Sequence, residues 1–65
     1  MKFTPEQRNL IKETRSKIQK LENEQAVLYS NLLKGINVNE KAEDWLFDYV
    51  YNSFGSIKNI EKILS

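Results

Sequence analysis

Cysteine and histidine are both absent from the 65 residues of this chain. Without cysteine there are no disulfides, no thiolate nucleophile and no Cys-based zinc site. Without histidine the commonest general base and the commonest metal ligand are gone as well. No apolar run approaches the length of a membrane span, and Met1-Lys2-Phe3-Thr4-Pro5 lacks the apolar stretch of a signal peptide. The expectation is a cytoplasmic protein with no membrane partner. No phosphate-binding glycine loop or nucleophile elbow occurs either. Glu40, Glu43, Asp44 and Asp48 lack the spacing and turn glycine of a calcium loop. We therefore expect no catalytic residues, no cofactor and no metal: a non-enzyme.

A chain this short builds a core worth roughly 3–5 kcal/mol unless something staples it. With disulfides and zinc excluded, the remaining routes are good helix packing and self-association. The composition is that of an ordinary globular domain, 40% hydrophobic and 29% charged, so disorder is not expected. Lysine far outnumbers arginine, asparagine and isoleucine are frequent, and alanine is scarce, a bias typical of AT-rich coding sequences such as those of phages and plasmids. The net charge of +1 conceals an asymmetry. The first twenty residues hold six cations against two carboxylates, and the rest hold four against seven.

With two glycines and one proline, the chain has few breaks, and their positions organise it. Thr4-Pro5-Glu6-Gln7 opens a helix with a capping residue, a proline at the first position and a glutamine placed to complete a capping box. Neither proline nor glycine recurs before Gly35. In between, Ile11, Thr14, Ile18, Leu21, Gln25, Leu28 and Leu32 alternate at spacings of three and four, a heptad seam. This predicts one helix over 5–34, roughly 45 Å long at 1.5 Å per residue. Gly35 suits the left-handed position past its end, with Ile36 folding back on the last turn. Asn37 or Asn39 caps a second helix over 39–53, with Glu40, Glu43 and Asp44 in its first turn, where the helix dipole favours negative charge. Gly55 breaks that helix, and Ser56 caps a third over 57–64.

The expected fold is all-α: a single domain over 1–65, a long N-terminal helix with an antiparallel return of two shorter ones. This helical hairpin would assemble into a bundle. A turn near Asn37 pairs positions whose numbers sum to about 74, which sets Trp45 beside Tyr29, Tyr49 beside Gln25 and Ile60 beside Thr14. Gln25, polar in an apolar seam, should meet Tyr49 or its own copy across a dimer.

Two surfaces are left over. Phe47, Tyr51 and Phe54 make a second apolar stripe on the second helix, either packed within the monomer or serving as an oligomer or partner interface. Arg8, Lys12 and Arg15 make a basic stripe on the first helix, either a solvated face or the contact for an anionic partner, RNA or a small nucleotide. In architecture alone the hairpin resembles small plasmid RNA-binding dimers and several phage accessory proteins, and a shared fold does not imply a shared function. The first functional expectation is a helical interaction protein, a homo-oligomer with a protein partner that it modulates or inhibits, as a phage or plasmid accessory protein would. The others are an anionic-ligand binder and a coiled-coil assembly factor or chaperone.

Overall fold

A computed structural model describes residues 2–20 and 24–64, and these form four helices and no strand. They are α1 (Pro5–Gln19), α2 (Gln25–Gly35), α3 (Glu40–Asn52) and α4 (Ile57–Leu64). The all-α expectation holds. The long N-terminal helix does not. Its span is divided between α1, which closes at Lys20, and α2, which starts after Glu24. A 45 Å rod would not fit a molecule measuring 33 × 20 × 19 Å.

The break has a packing cause. Glu24 stands in the left-handed region with φ 64°, a conformation that costs a non-glycine residue about 1–2 kcal/mol. In return α2 folds back on α1 and buries Leu32 completely. Local propensity favoured continuation, and tertiary burial overrode it. The two helices run antiparallel: Gln25 Nε2 donates to the Ile18 carbonyl at 3.2 Å, while at the other end Gly35 meets Leu10. A Cβ on Gly35 would lie 2.6 Å from Leu10 Cδ2. Gly35 is thus the last residue of α2 and not a left-handed cap; its missing side chain lets α1 approach. Ile36 does turn back into the core.

The phase of the seam survives the break. Ile11, Thr14, Ile18 and Leu32 are buried, and Gln25 and Leu28 are half-buried. Leu21 lies outside the described residues. Gln25 finds its partner in Ile18 rather than in Tyr49, whose ring instead carries the Arg15 guanidinium 5.0 Å from its centroid.

The caps follow the sequence closely. Thr4 and Gln7 form the full capping box, at 3.1 and 2.8 Å. Asn39 caps α3 by accepting from Ala42 N–H at 2.8 Å, and Ser56 caps α4 by accepting from Asn59 N–H at 3.2 Å. The end of α3 turns through two left-handed residues, Ser53 and Gly55.

α3 packs against both α1 and α4. It buries Ala42, Leu46 and Val50 completely along one stripe. Gln19 Nε2 ties the ends of α1 and α3 together by donating to the carbonyls of Val50 and Tyr51, each at 3.0 Å. Tyr29 on α2 meets Glu43, Phe47 and Tyr51 of α3, where the expected register set Trp45 beside it. Trp45 is not the neighbour that register named: it stays 38% exposed. Ile57 and Ile60 of α4 close the core, together with Phe3 ahead of α1.

Among the described residues, no helix is long and apolar enough to cross a membrane. The radius of gyration is 10.8 Å. A folded domain of this length is expected at about 10.7 Å, so the chain is as compact as its length predicts.

Candidate anion-binding groove

α1 and α4 lie on either side of an open groove of about 510 Å³. Lys2, Arg8 and Lys12 line one wall. Ile57, Lys58, Glu61 and Lys62 line the other. Both walls take their spacing from the helix: Arg8 and Lys12 are i, i+4 on α1, as are Lys58 and Lys62 on α4, so each pair steps about 6 Å along its axis. Half of the chain's ten lysines and arginines therefore face one depression, which among the described residues holds a single carboxylate. A cleft lined by one sign of charge concentrates its field on the space between the walls.

The carboxylate is structural. Glu61 is 8% exposed and its Oε2 accepts from the Phe3 backbone N–H at 2.7 Å and from Arg8 Nη2 at 3.2 Å. These contacts hold the segment before α1 against α4 and fix the groove's width. The Phe3 N–H, with help from the nearby Arg8 guanidinium and Lys2, holds the Glu61 carboxyl below its ordinary value of 4.5. A lowered pKa means the folded state favours the charged form. The resulting stability is full at neutral pH and is lost as pH falls below the ordinary carboxylate range and through the lowered value. In Glu61→Gln the amide oxygen still accepts from Phe3, but the charge is gone. We expect that variant to be less stable than the parent near neutrality and to converge with it in acid, as read by denaturant midpoints against pH. A gap unchanged down to strongly acid pH would show that the charge contributes nothing.

The basic stripe read from the sequence divides. Arg8 and Lys12 enter the groove, and Arg15 lies over Tyr49 between α1 and α3. Lys2, Lys58, Lys62 and the bracing Glu61 were not anticipated. Splitting the charge after residue 20 hid the two lysines of α4, because Lys58 and Lys62 belong to a stretch that is acidic in total. Most of that acidity lies along α3, and the i, i+4 lysines on the polar face of α4 were the available signal.

The aromatic stripe divides too. Phe47 and Tyr51 stack with centroids 4.4 Å apart, and Tyr29 of α2 meets both edge-on, at 5.7 and 5.5 Å. Burial pushes the Tyr29 hydroxyl up to about 12, with Glu43 adding to the shift. Tyr51 is half-buried, Phe47 is 45% exposed, and Phe54, beyond the end of α3, is 64% exposed. The cover comes from α2, through Tyr29. At the start of α3, Glu40, Glu43, Asp44 and Asp48 do not converge, and among the described residues no group of three or more potential metal ligands does.

No known protein family matches this chain, and no curated protein or solved structure matches it. The functional reading therefore rests on the groove and the exposed side chains.

Proposed function

We propose that this chain is a non-enzymatic binding module that takes an anionic macromolecular partner along the groove between α1 and α4. The supporting observation is the gathering of five cations, four on α1 and α4 and Lys2 just ahead of α1, around a carboxylate, the one among the described lining residues, that is already committed to Phe3 and Arg8. Lysines on a surface helix are commonly just solvated; a concave arrangement on facing walls is what separates this one from a solvated face. A small regulator that modulates or inhibits another macromolecule fits this design, since binding alone would be its activity.

The test compares two charge reversals of equal size. Lys58→Glu with Lys62→Glu changes one wall of the groove. Lys34→Glu with Lys41→Glu makes the same change in net charge outside it. Surface substitutions of this kind leave stability within about 0.5 kcal/mol. On immobilised heparin, a generic polyanion, the groove variant should elute at clearly lower salt than the parent and the control close to the parent. Equal shifts would reduce the groove to a contributor to overall charge, and the reading would fail.

A second reading, docking to a protein or to another copy, draws on the exposure of Phe54 and Phe47. It expects an oligomer at micromolar concentration, and a monomer mass from sedimentation across that range would remove the homo-oligomer.

A further inference from the structure

We propose that the anion is the phosphodiester backbone of a nucleic acid, held without regard to base sequence. This rests on the binding role of the groove and names its ligand.

Three features carry it. The first is the kind of cation. Four of the five are lysines, and the Nη2 of the arginine is engaged by Glu61. Lysine is a compact point charge with freely turning donors, suited to phosphate oxygens from many directions. Carboxylate partners are better met by the planar fork of arginine, which makes paired hydrogen bonds. A groove built for an acidic peptide would be expected to offer that fork.

The second feature is the floor. Among the described residues its one apolar side chain is Ile57, itself only 9% exposed. An amphipathic helix docks in a groove through apolar anchors, and Ile57 is the one described apolar residue that could meet them here. No aromatic residue lines it either. Proteins that read single-stranded bases stack them on aromatic rings, and the exposed rings here, Trp45, Phe47 and Phe54, are not among the lining residues. With neither anchors nor stacking platform, the contact is charge on charge.

The third feature is the repeat. Arg8 to Lys12 and Lys58 to Lys62 present cations at steps of about 6 Å along two facing helices. A polyanion with a regular, closely spaced charge meets such rows at several points, whereas a single small anion would use only one. Backbone contacts of this type position a nucleic acid but carry no sequence information.

Fluorescence anisotropy with the full chain tests the assignment, using four labelled probes: two short RNAs of unrelated sequence, a short DNA duplex and a polyglutamate peptide of similar charge. If four or five phosphates are neutralised, log K against log salt should have a slope of roughly −2.8 to −3.5 for a single strand and −3.6 to −4.5 for a duplex. That corresponds to a loss of roughly 50- to 500-fold between 50 and 200 mM salt. The strand form that binds more tightly identifies the source of the backbone. The two RNAs should agree within a few-fold, and Lys12→Ala should weaken both alike and reduce the slope by about one. Polyglutamate should bind at least tenfold more weakly than the better nucleic acid.

Polyglutamate binding as tightly as the nucleic acids would overturn this assignment and leave the anionic reading intact. A tenfold preference between the two RNAs, or a slope near zero, would also overturn it. Binding of none of the probes would remove both.

Discussion

Leu46→Ala should leave the chain largely unfolded at room temperature. Leu46 is fully buried on α3, in the stripe with Ala42 and Val50 and within the core that Ile11, Leu32 and Ile60 complete. Truncating a buried leucine costs about 2–5 kcal/mol, the transfer of the lost methyl groups plus the cavity they leave. A core of this size is worth roughly 3–5 kcal/mol in total. The substitution therefore removes most or all of the margin. Far-UV circular dichroism should show lost helicity, and any remaining urea transition should lie at much lower concentration. Leu46→Met keeps the volume and should cost less than about 1.5 kcal/mol. If Leu46→Ala instead melts cooperatively near the parent midpoint, the buried stripe of α3 is not the core.

Tyr29→Ala should be the second most damaging change, at about 2–3 kcal/mol. Its ring is the cross-member between α2 and the stacked pair Phe47 and Tyr51. Each edge-on pair contributes about 0.5–1.5 kcal/mol beyond the area it buries, and two are lost together. Tyr29→Phe keeps both and gives up only the 3.4 Å bond from the hydroxyl to the Glu43 carbonyl, so its loss should stay under about 1 kcal/mol. Alkaline titration separates the two variants further. With the hydroxyl pushed from 10.0 to about 12, folding favours the protonated ring. The parent therefore loses that contribution as pH rises from the lower value through the upper one, and Tyr29→Phe does not. If Tyr29→Ala matches the parent in denaturant, the ring cluster is surface decoration and α2 is held by its contact with α1 alone.

What the sequence revealed depended on whether the signal was local. The capping box at Thr4 and Gln7, the cap at Ser56 and the extent of α4 involve residues three or four apart, and all were legible. So was the buried phase of Ile11, Thr14, Ile18 and Leu32, because helical periodicity records which face is inward. The separation of α1 from α2 was not legible. Nothing near Glu24 resembles a breaker, and its left-handed backbone is maintained by packing between helices that a linear reading had joined. Gly35 misled for the same reason: its role concerns Leu10, twenty-five residues away, rather than its own dihedrals. Phe3 lies ahead of the first helix, outside its periodic pattern, and is core, with its N–H held by Glu61. The groove was half visible, as Arg8 and Lys12, since its other wall comes from α4.

The Phe3 to Glu61 bond joins positions 58 apart in the sequence and makes the chain a closed ring. The basic groove sits at the closure. It has no counterpart in a partly folded chain, because α1 alone or α4 alone supplies only one wall. Site formation is in this way tied to completion of folding: contacts of such long range are made after loop-closure entropy has been met. Any ligand that spans both walls then acts as a removable clasp, favouring the fully closed chain over every open one by an amount that grows with the ligand's concentration. Occupancy and fold are one equilibrium, and in so small a protein the clasp would govern how long the ring stays shut.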